Sequence, residues 1–359
     1  MSKDKKNSKR KINLALQGGG THGAYTWGVL DRLLEDDRLI IEGVSGTSAG
    51  GMNAAIMVDG YIKNGRQGAK DALYTFWQNI SNMAQHNPLH NPNLLGMPKS
   101  CWNLDSSPAY IFFDIITRIF SPYQINPFNI NPLKDLIEDL IDFETLQSSN
   151  LINLFVTATS VSTGQPHIFH HKQITSDTLM ASSCLPSMFQ AIEINNDHYW
   201  DGGYAGNPSI WPLTYNSQTT DIVIVEINPV IRKEIPLKGS DIINRINEIS
   251  FNASLIAEIK SIDFINNLID ENHLVTKKYR KLHIHLIESA EEMLELNASS
   301  KLNTSWDFLS YLHQLGRKSA QKWLDKNFDC LGNSSSADIH NTYLNHAKHP
   351  FKVQQTNIK

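Results

Sequence analysis

A serine set between two glycines, Gly46-Thr47-Ser48-Ala49-Gly50, is where this sequence most plainly carries chemistry. It lies between an apolar, strand-like run from Leu39 to Val44 and a helix-forming run from Met52 to Met57. Gly-x-Ser-x-Gly between a strand and a helix is the nucleophile-elbow pattern. The turn is too tight for side chains at its flanks, so Gly46 and Gly50 are glycine. The hydroxyl is held out at the strand tip beside a helix N-terminus, whose partial positive charge favours a developing oxyanion.

A second glycine cluster, Gly18-Gly19-Gly20-Thr21-His22-Gly23, closes the first apolar run, Lys11 to Gln17. Helical spacing of Ala24, Trp27, Leu30, Leu33 and Leu34 follows it. Backbone N–H groups uncovered by side chains can point at one oxygen and form an oxyanion hole. The same loop also fits the Gly-x-Gly-x-x-Gly dinucleotide fingerprint. That use wants an acidic residue at the end of the second strand, whereas Glu42 lies inside it and the strand runs into the serine turn. The oxyanion role is the more coherent, with a nucleotide-binding module using Gly18 to Gly23 as the alternative of another class.

A serine hydroxyl needs a base to attack an ester at neutral pH. Asp201-Gly202-Gly203 follows a hairpin-like pair, Ala191 to Ile194 and His198 to Trp200, and its glycines allow close backbone approach. As a direct base, Asp201 needs burial to raise its pKa from about 3.9. A Ser…Asp…His triad would instead need His283 or His285, which alternate within Leu282-His283-Ile284-His285-Leu286 and belong rather to a sheet face. His86, His90 and the pair His170-His171 have no partners at metal-ligand spacing and are read as surface histidines. Neither a metal nor a cofactor is expected.

The elements that must position these groups come from a chain of 359 residues, 41% hydrophobic and 19% charged, enough for a large core. A net charge of −4, without a basic stripe, argues against nucleic acid as a partner. Three dispersed cysteines, Cys101, Cys184 and Cys330, fit no disulfide framework or zinc cluster, and a reducing compartment is expected. No apolar run approaches the roughly 20 residues of a membrane span. Ile12 to Leu16 is too short for a signal-peptide core. The expectation is a cytoplasmic protein, with peripheral membrane attachment and homo-oligomerisation left open.

Further apolar strands are expected at Leu151 to Ser160 and Asp221 to Ile227, and a last one at Leu282 to Ile287. Residues 85–133 are Asn- and Pro-rich around the apolar stretch Ile111 to Phe120, expected as either a buried packing element or a cap over the site. Such a cap suits a lipid acyl chain or a membrane surface.

Taken together, the glycine loop after the first strand, Gly-x-Ser-x-Gly after the second and Asp-Gly-Gly before Asn207-Pro208 resemble the patatin-like phospholipase family. The small-residue helix Ala181 to Pro186 followed by Phe189 is similar to that family as well, and the resemblance covers roughly residues 12–215. It implies a three-layer α/β/α sandwich with a mostly parallel central sheet, plus a mainly helical C-terminal extension. It further implies a Ser–Asp dyad without a histidine, Ser48 as nucleophile and Asp201 as base, with the loop Gly18, Gly19, Gly20, Thr21 and Gly23 as the oxyanion hole, the N–H groups of Gly19, Gly20 and Thr21 foremost. The wider motif takes in Gly46 and Gly50 of the elbow, and Gly202 and Gly203. Two departures stand out. His22 replaces the usual basic residue after the triple glycine, and Ser160 or Ser162 stands where an aspartate is often found. The implied activity is acyl-ester hydrolysis on lipids, with a soluble ester or thioester as the alternative substrate. The organisation expected is a basic lead-in at 1–11, a catalytic domain over 12–230, a helical region over 240–330 packed on it, and a polar tail at 333–359.

Overall fold

The computed structural model describes residues 9–84, 87, 102–237, 239–274 and 279–344. Most of the basic lead-in, His86, His90, Cys101 and the tail from 345 onward lie outside the described residues. Eight strands make one sheet: β1 (Arg10–Leu16), β2 (Leu39–Thr47), β3 (Asn153–Ser160), β4 (Pro166–His170), β5 (Ile192–Ile194), β6 (Asp197–Asp201), β7 (Asp221–Val225) and β8 (His283–Ile287). Their order is β5-β6-β3-β2-β1-β7-β8, with β4 paired to β3. The five strands β3, β2, β1, β7 and β8 run parallel, and β4, β5 and β6 pair antiparallel.

Alternation along the central strands divides the core between two faces. Ile12, Leu14 and Leu16 of β1 and Val223 and Val225 of β7 enter one cluster, while Ala15, Ile222 and Ile224 enter the other. On the first face lie α1 (Gly23–Leu34) and α2 (Ala49–Met83), the latter broken at Asn64 and Gly65 into two helical segments, the first of which contains the run Met52 to Met57. Five short helices follow: α3 (Pro108–Ile119), α4 (Pro122–Ile125), α5 (Pro132–Leu140), α6 (Phe143–Ser148) and α7 (Ser176–Ser182). Then come α8 (Trp211–Asn216), the long α9 (Gly239–Asp270), α10 (Ala290–Leu294) and α11 (Trp306–Asn327). The result is a three-layer α/β/α sandwich with a mostly parallel sheet, and its C-terminal region is largely helical.

That region is built into the sandwich rather than laid on it. β8 extends the sheet beside β7, Leu255 and Ile259 of α9 fill the second face, and α11 packs on α1. Where α1 and α11 cross, a Cβ on Gly28 would meet the carbonyl of His313, and one on Gly316 the carbonyl of Tyr25. Backbones this close require glycine on both helices. Residues 333–344 also pack, with Ile339 and Tyr343 buried and the Tyr343 hydroxyl donating to Glu226 Oε2 at 2.7 Å.

The apolar stretch Ile111 to Phe120 forms α3, which has no buried residue. Phe112 is 66% exposed, Ile119 67% and Phe128 just beyond it 86%. Within this chain α3 is therefore not a buried packing element. Its flanks are tethered: the Leu104 N–H donates to Ser299 Oγ at 2.9 Å, and Gln190 Nε2 donates to the Asn126 carbonyl at 2.7 Å.

Candidate active site

The sheet register itself brings the serine turn to the aspartate turn. β2 leaves β3 at the pair Thr47–Thr157, and β6 takes the next position with Ala158–Asp201. Because β2 runs parallel and β6 antiparallel to β3, their C-terminal ends meet head to head. A Cβ on Gly202 would strike the Thr157 carbonyl and crowd Thr47 Cγ2 at 2.9 Å, so this approach demands glycine.

Ser48 sits at φ 54°, ψ −124°, a conformation that L residues rarely adopt, and is 8% exposed. The elbow glycines are needed for space. A Cβ on Gly46 would meet the Gly50 carbonyl, and one on Gly50 the Leu16 carbonyl of β1. The turn is pinned from outside, as the Ser48 N–H donates to Ser182 Oγ at 2.8 Å while that hydroxyl donates to the Thr157 carbonyl at 2.6 Å. Ser182 lies in the small-residue helix noted from sequence, but its contact with the elbow is tertiary and no spacing announces it.

Asp201 is 2% exposed. Its Oδ1 accepts from the Gly203 N–H at 2.7 Å, its own N–H donates to the Cys184 carbonyl at 2.7 Å, and Thr159 Oγ1 donates to its carbonyl at 2.8 Å. Burial pushes the carboxyl up to about 6, against the opposing pull of the Gly203 N–H, the Ser48 hydroxyl and the Lys301 charge.

The glycine loop divides into two tasks. Gly19, Gly20 and Thr21 line the cavity that holds Ser48 and Asp201. Gly18 and Gly23, grouped with them from sequence, do not. The Gly18 N–H donates to Asn207 Oδ1 at 2.6 Å and its carbonyl accepts from Asn228 Nδ2 at 2.7 Å. The Gly23 N–H is taken by the carbonyls of Gly20 and Thr21. Both are therefore spent on holding the loop. Beneath it lies a buried amide network: Gln17 Oε1 accepts from the N–H groups of Ile227 and Asn228, both at 2.9 Å, and Gln17 Nε2 donates to Asn252 Oδ1 at 3.0 Å. Asn228 and Asn252 were not singled out from sequence. The only sequence signal for Asn228 is its position just past β7, at the carboxyl edge where parallel sheets bind ligands.

His22 is 2% exposed, and its Nε2 lies 2.8 Å from Ser300 Oγ. The Ser300 hydroxyl donates to the Asn297 carbonyl at 2.7 Å, so the ring donates from Nε2, leaving Nδ1 without a partner among the described residues. Burial and the Lys301 charge hold His22 well below the ordinary histidine range. It is neutral and brings no positive charge to the loop.

Other candidates fall away from the site. His285 Nε2 lies 2.9 Å and His283 Nδ1 3.6 Å from Asp221 Oδ1, at the start of β7 and so on the sheet edge opposite the serine. Glu42 accepts from the N–H groups of Gln218 and Thr219 at 3.0 and 2.9 Å, which commits the carboxylate that a ribose would need. Ser160 and Ser162 both donate to Asp197, at 2.9 and 3.0 Å, and so brace the β5–β6 hairpin. His170 ends β4 and is exposed. Among the described residues, no group of three or more His, Cys, Asp or Glu could hold a metal ion.

The cavity measures about 590 Å³. Ser48, Asp201, Gly19, Gly20 and Lys301 line one part of it, while Met52, Phe76, Trp77, Ile80, Leu185 and Phe189 make up much of the rest. Chemically, a hydroxyl beside a carboxyl that titrates near 6 can pass its proton there and attack an electrophile. The apolar wall favours a hydrocarbon-bearing substrate.

A family model described as patatin-like phospholipase matches residues 14–214, which spans the serine turn, the glycine loop and Asp201. No protein of curated function matches the chain. Among solved structures, the crystal structure of VipD from Legionella pneumophila is similar over 88% of this chain and 67% of that one, with 14% identity and a TM-score of 0.39.

Proposed function

The chain belongs to the patatin-like phospholipase family, and from that premise we propose that it is a serine lipid acyl hydrolase. The observation that carries this reading is the meeting of Ser48, on its constrained turn, with the buried Asp201 in one largely apolar cavity. Ser48 Oγ attacks the acyl carbonyl carbon as its proton passes to Asp201. The oxyanion is received by the N–H groups of Gly19, Gly20 and Thr21. Collapse of the tetrahedral intermediate expels the alcohol, which takes the proton from Asp201 and leaves an acyl-serine. Water, deprotonated by Asp201, then releases the fatty acid and restores the hydroxyl.

A serine-directed fluorophosphonate tests the assignment directly. Peptide mapping is expected to find the label on Ser48 and to find none in Ser48→Ala; a label elsewhere would remove the assignment.

The lipid class of substrate is supported by the apolar cavity wall and by α3. Phe112, Ile115 and Ile119 of α3 are all exposed, and the chain just past that helix runs on to Asn131 and Pro132 at the cavity. Among the described residues no helix is long and apolar enough to cross a membrane, so α3 acts as a surface-seated element that meets lipid from the side. The double variant Phe112→Glu/Ile119→Glu is expected to lower hydrolysis of phospholipid vesicles about tenfold or more, since seating each of these exposed side chains in lipid would contribute ~1.5–3 kcal/mol. Turnover of a monomeric short-chain ester should not change. Equal loss on both substrates would argue against membrane seating, and a wild-type preference for the monomeric ester would favour a soluble substrate.

A further inference from the structure

Among the described residues, two charged side chains line this cavity, Asp201 and Lys301. Lys301 comes from the turn Ala298–Leu302, well beyond the stretch that the family match covers. That turn is clamped onto the glycine loop. Thr21 Oγ1 donates to the Ser300 carbonyl at 2.9 Å, His22 Nε2 meets Ser300 Oγ, and a Cβ on Gly20 would lie 2.6 Å from the Lys301 carbonyl. From this backbone the Lys301 ammonium donates to Asn228 Oδ1 at 2.8 Å and lies 5.9 Å from the centre of the Phe251 ring. Asn228 Oδ1 in turn sits 3.6 Å from where a Cβ on Gly19 would stand, and the same amide donates to the Gly18 carbonyl. One amide therefore joins the cation to the glycine loop that lines the cavity.

We propose that Lys301 is the cation of this active site, fixing the Gly18–Gly20 loop through Asn228 and facing Asp201 across the cavity. It acts as an electrostatic positioning residue for acyl-ester hydrolysis. The proposal rests on the reading of Ser48 and Asp201 as the reacting pair.

The surrounding charges support a cation placed for Asp201. Arg232 and Arg245 both pair with Glu248, at 2.7 and 3.1 Å, so that carboxylate is already shared among cations near Lys301. Burial pulls the Lys301 ammonium below the ordinary lysine range, the charges of Glu248 and Asp201 hold it up, and Arg232 adds to the downward pull. Facing Asp201 are the Ser48 hydroxyl, the Gly203 N–H, Cys184 and Tyr204. The last two stay protonated, since burial and the Asp201 charge raise both. Lys301 is thus the cation that opposes burial at Asp201.

The test compares Lys301→Gln, which keeps a donor for Asn228 but drops the charge, with Lys301→Arg, which keeps the charge. Two readouts are needed: titration of the Asp201 carboxyl by carbon-13 NMR, and turnover of a neutral, monomeric short-chain ester. Lys301→Gln should move the Asp201 midpoint above its wild-type value of about 6 and lower kcat about tenfold or more. Lys301→Arg should restore the midpoint and most of the rate. An unmoved midpoint in Lys301→Gln overturns the proposal even where stability falls. Loss confined to anionic phospholipid, with the neutral ester unaffected, overturns it as well and makes Lys301 a headgroup contact. The NMR readout does not need catalysis. An inactive wild type with a shifted midpoint in the variant would therefore sink the reading of function while the electrostatic inference stands.

Discussion

Ser48→Ala is expected to lower acyl-ester turnover by about 10⁴-fold or more, because it removes the hydroxyl proposed to carry the acyl chain between the two half-reactions. The variant should fold as the wild type does, since alanine fits the same space and the Ser48 N–H still reaches Ser182. A second substitution at the same position reads out the turn itself. Ser48 holds φ 54°, ψ −124°, and a residue kept in such a region costs of order 1–3 kcal/mol. Ser48→Gly relieves that strain but loses up to about 1 kcal/mol through the greater freedom of the unfolded chain. Both variants should therefore be inactive, with Ser48→Gly the more stable in denaturant by about 1 kcal/mol. Residual turnover near the wild-type rate in either variant would end the assignment of Ser48. A Ser48→Gly variant less stable than Ser48→Ala by about 1 kcal/mol would show that the turn stores no strain.

This pairing of chemistry with backbone constraint explains which parts of the site could be read from sequence. The serine turn, the glycine loop and Asp-Gly-Gly are local patterns: each needs particular residues within five or six positions because the backbone there is tight. The parallel strands were legible for a related reason, since β1, β3 and β7 are largely buried on both faces and read as apolar runs, as does β2 up to the serine turn. What stayed hidden acts across the fold. Ser182, Asn228, Asn252 and Lys301 reach the site as single polar side chains from separate elements, and a lone asparagine or lysine has no periodicity. The division within the glycine loop was hidden for the same reason. Gly18 and Gly20 are indistinguishable as sequence until Asn207 and Asn228 are seen to occupy the first. The exposure of α3 was also beyond reach, because apolar content shows that a surface wants covering without showing what covers it. The region after 240 is mainly helical as its periodicity implies, and its strand β8 falls on the run Leu282 to Ile287 expected from sequence; what no pattern announces is that Lys301 makes the region part of the cavity.

Asp201→Asn should separate the catalytic role of that carboxyl from what it does to stability. In the proposed role of base, Asp201 would work only when ionised. Wild-type kcat/KM should therefore fall tenfold per pH unit below about 6, and the asparagine variant should lose about 10³- to 10⁴-fold at neutral pH. Stability moves the other way. Burial raises the folded-state pKa from 3.8 to about 6, so folding binds a proton at intermediate pH. The favourable contribution of the protonated form is complete below the unfolded value of 3.8 and is lost as pH rises through about 6. A shift of this size corresponds to about 3 kcal/mol at the upper end, with the wild type carrying a buried charge at pH 8. Asparagine stays neutral and its Oδ1 can still accept from the Gly203 N–H, although Lys301 loses the opposing charge it faces. The net expectation is a variant more stable than wild type by about 1–2 kcal/mol at pH 8, or a Tm higher by several degrees. The difference should shrink towards zero by pH 4. Thermal unfolding at both pH values decides the matter. A destabilised Asp201→Asn at pH 8 would mean that the carboxylate is held mainly by favourable contacts, and a wild-type rate that stays flat below pH 6 would mean that another group is the base.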